Sequence, residues 1–237
     1  DPKSKELLKP YLRGKDVKKW TPEYKDLYLI KIESSENKSH PWSGQPLKEA
    51  ESIFHETYPA IASHMLGPEY RTKLIKRSDQ GKYFWEMRSC QYWDAFDEPK
   101  IIMGRFMNKA EYAYDTNGFI HNDALYFIAG VPPYICALLN SCVSWWFLTM
   151  ICTDLQNDYI QALVQYQEKI PIPPATDKQK AELSDLAEKC AAAKESGDPK
   201  ALANHEAQID TIIYKLFQLK HEEMRRVESK ANTDTPD

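Results

Sequence analysis

The residues between Lys73 and Arg88 combine basic and hydrogen-bonding side chains with large aromatic rings. Residues 71–88 hold six Lys or Arg residues against two Asp or Glu residues. Lysine and arginine bind phosphate oxygens, arginine can pair with base edges in the major groove, and an exposed ring can pack on a sugar or an unstacked base. The alternative is that the rings form core and the charges face solvent, which we favour for Phe84 and Trp85.

A second short pattern, Val131-Pro132-Pro133-Tyr134, has part of a catalytic motif. Amino-methyltransferases use Asn or Asp before Pro-Pro-Tyr, since the polar side chain holds the target amine. Val131 has no hydrogen-bonding group, and no glycine-rich cofactor loop follows a strand upstream. We therefore interpret the pattern as a helix-initiating turn, and we predict no catalytic residue in this chain.

The cysteines and histidines do not form metal-ligand patterns. None of the five cysteines forms a CxxC pair, and none of the three His-Glu pairs has a second histidine four residues on. We predict no metal site. An odd number of unpaired cysteines indicates a reducing compartment, which we take to be the cytoplasm.

The formal charge is unevenly distributed along the chain. Its net value is −4, but residues 1–110 carry 20 basic and 16 acidic side chains, while residues 111–237 carry 11 and 19. Binding to a phosphate backbone requires local positive potential rather than a positive average. From charge alone, an ordinary solvated surface is the favoured interpretation.

Length and composition predict a globular protein of one large domain, or one domain with an appendage. The chain has 237 residues, of which 42% are hydrophobic and 28% are charged. Its most apolar segment, from Tyr134 to Ile151, is interrupted by polar residues, whereas a membrane span needs about 20 nearly uninterrupted apolar residues. We expect a soluble protein without a membrane partner. A first residue of Asp1, with no signal-peptide pattern after it, suggests a piece of a longer polypeptide.

Short apolar runs bounded by turn residues predict strands in two regions. One run covers residues 27–32, and a series covers residues 101–127 with a tight-turn signal at Asn117-Gly118. Between them, a helical spacing of apolar residues begins at Leu47, is interrupted at Pro59 and ends at Gly67-Pro68. A second apolar helix is predicted from Pro133 to about Met150.

The last sixty residues predict a pair of helices. Thr176 and Gln179 have the spacing of a capping box, Gly197 suits a helix end, and Asp198-Pro199 suits the start of the next helix. The predicted fold is α+β, with a mixed or antiparallel sheet, packed helices and a C-terminal antiparallel helical hairpin. We predict a first domain at residues 1–175, the hairpin at 176–230 and a disordered tail at 231–237.

Several segments of the chain, in this order, resemble one known family. They are LLKPYLRGKDVKKW (7–20), KRSDQGKYFWEMRSCQYWDAFDEPKII (76–102), AYDTNGFIHND (113–123), YICALLNS (134–141), QYQEKIPIPP (165–174) and IDTIIYKLFQL (209–219). The family they resemble is the TaqI-like C-terminal specificity domain. It is the target-recognition part of adenine-N6 DNA methyltransferases and of type IIG restriction–modification enzymes, which are bacterial.

The resemblance implies a domain that reads double-stranded DNA and has no cofactor of its own. An upstream methyltransferase domain of the same polypeptide would bind S-adenosylmethionine and methylate a flipped adenine, and an endonuclease domain, with Mg²⁺, is an optional further part. We assign phosphate contacts by position to Arg13, Lys15, Lys18, Lys19, Lys76 and Arg77. We assign base contacts to Arg88, Arg105, Asn108 and Lys109, although no motif of the family identifies the base-reading residues.

Two other functions stay open at this point. A scaffold or protein-interaction module with the same fold would agree with the sequence pI of about 5.9. A catalytic methyltransferase is disfavoured by Val131 and by the missing glycine-rich loop. The DNA-recognition hypothesis predicts a cationic concave face in the first half of the chain. Basic side chains that are scattered or neutralised by carboxylates, with no groove wide enough for a duplex, would contradict it.

Overall fold

The computed structural model describes residues 2–233, and its fold is α+β. The helices are α1 (Pro2–Glu6), α2 (Leu47–Thr57), α3 (Pro59–Leu66), α4 (Pro68–Lys76), α5 (Pro133–Leu139), α6 (Cys142–Ile151), α7 (Val164–Gln167), α8 (Asp177–Ser196), α9 (Pro199–Leu216) and α10 (His221–Thr233). The strands are β1 (Leu8–Leu12), β2 (Tyr28–Ile30), β3 (Lys100–Gly104), β4 (Phe106–Met107), β5 (Tyr112–Asp115), β6 (Ile120–His121), β7 (Leu125–Ala129), β8 (Thr153–Asp154) and β9 (Ile160–Gln161).

The chain divides into two compact units, and both units are discontinuous in sequence. Unit 1 contains the chain up to Tyr11 together with Asp26–Ala95, and unit 2 contains Leu12–Lys25 together with the chain from Phe96 onward. The division predicted after residue 175 differs from this one, because α8 and α9 share a hydrophobic core with β3, β5, α5 and α6. The predicted tail lies largely outside the described residues, although α10 is described through Thr233.

Unit 1 is built on an aromatic core beneath two short antiparallel strands. Strands β1 and β2 pair from Leu8 opposite Ile30 to Pro10 opposite Tyr28. In the core the ring of Trp85 stacks on that of Phe54, with centroids 5.2 Å apart. The core interpretation of Phe84 and Trp85 is therefore confirmed, since both are buried.

The helices of unit 1 agree with the sequence prediction at Pro59 and differ from it after Gly67. Helix α2 ends at Thr57 and α3 begins with Pro59 in its first turn, as predicted. Pro68, however, begins the additional helix α4. Proline is tolerated in a first turn because the N–H it lacks has no partner there, so Gly67-Pro68 both ends one helix and begins another.

The central sheet of unit 2 has the strand order β5-β3-β7, and both pairs are antiparallel. A fully buried ion pair lies at the start of β3, where Lys100 Nζ is 2.5 Å from Asp115 Oδ2. The Lys100 ammonium also donates to the Phe96 carbonyl, and the Asp115 carboxylate accepts the N–H groups of Asn117 and Phe119. The predicted turn at Asn117-Gly118 is thus held by the carboxylate that neutralises Lys100.

The single helix predicted from Pro133 to Met150 is two helices in the structure. Helices α5 and α6 meet at a bend of 59°. At the bend, Ser141 caps α6 by accepting the N–H of Ser144, and the Asn140 amide bonds both backbone groups of Tyr112, at 3.0 and 2.8 Å. Within residues 2–233 no single helix is long and apolar enough to cross a membrane; only the bent pair α5–α6 together has the length and composition.

The C-terminal helical pair forms as its capping residues predict. Thr176 and Gln179 make a reciprocal capping box at the start of α8, and Gly197 ends that helix with a φ of 69°. The Asp198 carboxylate then caps α9. A third helix, α10, follows and packs on α6; it was not predicted as a separate helix.

Candidate nucleic-acid interface

The first basic segment, Leu12–Lys25, belongs to unit 2 and begins with an arginine that has an internal partner. The Arg13 guanidinium makes two hydrogen bonds to the Asp16 carboxylate, at 2.8 and 3.0 Å, and the Arg13 N–H donates to the same group. The hydrogen bond from Arg13 holds the pKa of Asp16 below its usual value. Arg13 therefore shapes the loop, whereas Lys15 between the two residues is exposed.

Two consecutive lysines further along the segment have different surroundings. Lys19 Nζ lies 2.8 Å from Glu206 Oε1 of α9 and 5.5 Å from the centroid of the Trp20 ring. Lys18 is half-buried and has no hydrogen bond or ion pair in the described part of the chain. Lys18 is thus available to an external anion, and Lys19 already neutralises a carboxylate.

Trp20 anchors the end of this segment in the core of unit 2. Its side chain is 2% exposed, and its indole N–H donates to Glu206 Oε1 at 2.7 Å. Its backbone N–H donates to the Tyr112 carbonyl, and its carbonyl accepts the N–H of Tyr114. Tyr112 and Tyr114 of β5 are therefore both hydrogen-bonded to the backbone of Trp20, the last residue of the family-like segment 7–20.

The second basic segment lies in unit 1, on α4 and the loop that follows it. Lys76 is exposed and makes no ion pair or hydrogen bond within residues 2–233. Arg77 instead donates to the Glu86 carbonyl, and its Nε lies 3.2 Å from an Asp79 carboxylate oxygen. Arg71 makes a two-fold hydrogen bond with Glu51. Of these three cations, Lys76 is the one that has no partner among the residues that the structure describes.

A buried carboxylate, Glu86, holds the loop that carries the second segment. Its Oε1 accepts the Ser35 hydroxyl at 2.5 Å and the Trp42 indole N–H at 2.9 Å. Its Oε2 accepts the backbone N–H groups of Ser35 at 2.9 Å and of Tyr83 at 3.2 Å. Glu86 is 0% exposed, and its carboxylate accepts hydrogen bonds from all four of these donors. We therefore assign it a structural role in holding the loop.

The residues predicted to read bases lie in both units. Arg105, Asn108 and Lys109 fall between β3 and β5 of unit 2, while Arg88 is an exposed residue of unit 1. The Arg105 guanidinium lies 5.6 Å from the centroid of the Phe106 ring, which is 50% exposed. Lys109 pairs with Glu111 at 3.5 Å. The base-reading role of these four residues stays a prediction.

The structure separates the six predicted phosphate contacts into two groups. Arg13, Lys19 and Arg77 each pair with a carboxylate, whereas Lys15, Lys18 and Lys76 do not in the described part of the chain. Glu86 and Glu206, which hold the two basic loops, were not among the residues predicted from the sequence. Their contacts with Ser35 and Trp20 join positions 51 and 186 residues apart, which no local sequence pattern reveals.

The described residues thus place exposed lysines on two segments of an α+β scaffold, Lys15 in unit 2 and Lys76 in unit 1. The family model of the TaqI-like C-terminal specificity domain matches residues 9–172. This chain belongs to that family, as the sequence resemblance indicated. No curated protein matches the chain significantly.

The fold is also similar to part of a solved structure, that of the type IIL restriction–modification enzyme MmeI in complex with DNA. The TM-score is 0.56 at 12% sequence identity, over 97% of this chain and 32% of the enzyme chain. This chain therefore spans about a third of the length of that enzyme. Because the sequence identity is only 12%, the structural similarity between the two chains establishes a shared fold and no more.

Proposed function

We propose that this chain is the double-stranded DNA recognition domain of a restriction–modification enzyme, and that it directs methylation or cleavage by other domains. Membership of the specificity-domain family supports the class, and the likeness to a DNA-bound restriction–modification enzyme supports the ligand. The observation that carries the proposal is the pair Lys15 and Lys18. These two cations lie in a segment matched by the family and are not neutralised within the described residues.

The parent in this proposal is a bacterial, cytoplasmic adenine-N6 methyltransferase of type IIG. Its methyltransferase domain, upstream in the same polypeptide, binds S-adenosylmethionine, and any endonuclease domain supplies its own Mg²⁺ site. The chain described in this structure contributes recognition alone: Lys15, Lys18 and Lys76 contact phosphates and set the register. Arg88, Arg105, Asn108 and Lys109 are the proposed base readers.

Salt dependence of duplex binding tests this function directly. Fluorescence anisotropy with a labelled 30-base-pair duplex, between 50 and 200 mM salt, should show log K falling linearly with log salt, by about 0.9 for each phosphate contact. Replacing both Lys15 and Lys18 by alanine should reduce the magnitude of that slope by about 1.8, which corresponds to two phosphate contacts. Lys189→Ala is the matched control, because Lys189 is an exposed lysine that pairs with Asp185 on α8, and it should leave the slope unchanged.

A scaffold function predicts the opposite result. If the wild-type protein shows no salt-dependent duplex binding, the DNA-recognition proposal is wrong and the scaffold alternative stands. Titration calorimetry with S-adenosylmethionine should give no heat of binding. Measurable binding would contradict the assignment of the cofactor to another domain.

A further inference from the structure

Trp20 has a backbone conformation that must be held by its surroundings. Its φ is 78°, in the left-handed region that bulky side chains rarely occupy. Two backbone hydrogen bonds to β5 fix its main chain. The Trp20 N–H donates to the Tyr112 carbonyl at 2.9 Å, and the Trp20 carbonyl accepts the Tyr114 N–H at 3.2 Å. Strained residues of this kind persist where tertiary contacts determine them, and they cluster at functional sites.

A single carboxylate oxygen on α9 contacts the side chains of both Trp20 and Lys19. Glu206 Oε1 accepts the Trp20 indole N–H at 2.7 Å and lies 2.8 Å from Lys19 Nζ. The next residue, Thr21, donates its hydroxyl to Glu195 of α8 at 3.3 Å. The C-terminal helical pair therefore holds the far end of the Leu12–Lys25 segment from within unit 2.

The near end of the same segment is held independently. Arg13 and Asp16 form a two-fold hydrogen bond with one another, and a Cβ on Gly14 would lie 3.3 Å from the Ala124 Cβ, closer than ordinary contact. Lys15 and Lys18 lie between these two fixed ends. A cation on a loop fixed at both ends loses less conformational freedom when it binds a phosphate than one on a free loop does.

We propose that Glu206 is a positioning residue for DNA binding. By accepting the Trp20 indole N–H, its carboxylate fixes the loop that presents Lys15 and Lys18 to the phosphate backbone. By pairing with Lys19, it also removes that lysine from the set of phosphate contacts. The inference rests on the proposed DNA-recognition function and gives the C-terminal helical pair a part in it.

Two substitutions of Glu206 that remove the same charge separate positioning from electrostatics. Glu206→Gln keeps an oxygen that accepts the indole N–H, whereas Glu206→Ala removes the acceptor. Loss of a negative charge near DNA alone should strengthen binding equally in both variants. A positioning role predicts instead that E206Q binds the duplex at least as tightly as the wild type does. It predicts that E206A binds about tenfold more weakly, a loss of affinity that corresponds to one charge-assisted hydrogen bond.

Two further variants control for the surroundings. Glu195→Ala removes an acidic side chain of α8 that accepts the Thr21 hydroxyl of the same segment, and the affinity of this variant for the duplex should not fall. Lys19→Met should change affinity less than threefold and leave the salt slope unchanged, whereas Lys18→Met should lower the slope by about 0.9. If E206A does not fold, as judged by thermal unfolding, Glu206→Met retains the side-chain volume without the acceptor and replaces it.

The outcomes distinguish this inference from the function on which it rests. Absence of duplex binding by the wild-type protein refutes the function. If the wild type binds, equal affinities of E206Q and E206A refute the positioning role. A fall in slope of about one contact in K19M refutes the assignment of Lys19 to Glu206.

Discussion

Replacing Glu86 by glutamine should destabilise unit 1 strongly, although the two side chains have nearly the same shape. Each carboxylate oxygen of Glu86 accepts two donors. The glutamine amide can place its oxygen toward one pair of donors only, so its NH₂ group must face the other pair. Two hydrogen bonds to a charged acceptor are then lost and donors are left unsatisfied, at a cost of about 3 kcal/mol or more.

Denaturant unfolding followed by tryptophan fluorescence measures this effect, because Trp42 donates to Glu86 and lies with Trp85 in the core of unit 1. Glu56→Gln, at an exposed position of α2, is the matched control and should change the free energy of unfolding by less than about 0.5 kcal/mol. Hydrogen exchange should also become faster in the loop of residues 77–88, which Glu86 holds. An E86Q protein within about 1 kcal/mol of wild type would refute the reasoning, since the four hydrogen bonds would then contribute little.

Three further predictions concern stability and its dependence on pH. Lys100→Met should cost about 3–5 kcal/mol in denaturant unfolding, because Asp115 would stay fully buried without its cation; a loss below 1 kcal/mol would contradict this. Gly81→Ala should lower the thermal midpoint, because the new Cβ would lie 2.5 Å from the Met87 carbonyl oxygen; an unchanged midpoint would show that the loop shifts freely. Burial lowers the pKa of His121 from its usual 6.5, so the free energy of unfolding should fall as pH drops below about 6.5 and protons bind the unfolded chain first. Unfolding curves of His121→Phe measured across the same pH range should lack that decrease.

Features that depend on neighbouring residues were predictable from the sequence. The capping box of Thr176 and Gln179 and the helix break at Pro59 are decided by side chains within four residues of the backbone they affect. The break between α5 and α6 has a local part and a distant part. Ser141 caps α6 from three residues away, whereas Asn140 bonds a strand 28 residues earlier in the chain, which the sequence does not reveal.

The candidate site shows the same limit. Residue type and position indicated which segments are basic, and the family resemblance indicated what they would bind. Neither could separate Lys18 from Lys19, because the difference arises from Glu206, which is distant in sequence. Charge patterns therefore identify a cationic segment, while tertiary partners decide which of its cations can bind an external phosphate.

The bonds that Asn140 makes to Tyr112 have a consequence for association between molecules. Strand β5 is the outermost strand on its side of the β5-β3-β7 sheet, and an open sheet edge can recruit a strand from another chain. The Asn140 amide imitates one peptide unit of such a strand, because it donates to the Tyr112 carbonyl and accepts the Tyr112 N–H. Trp20 bonds the next N–H along, that of Tyr114. The protein thereby closes this edge with its own side chain and loop, which protects the sheet against edge-to-edge aggregation.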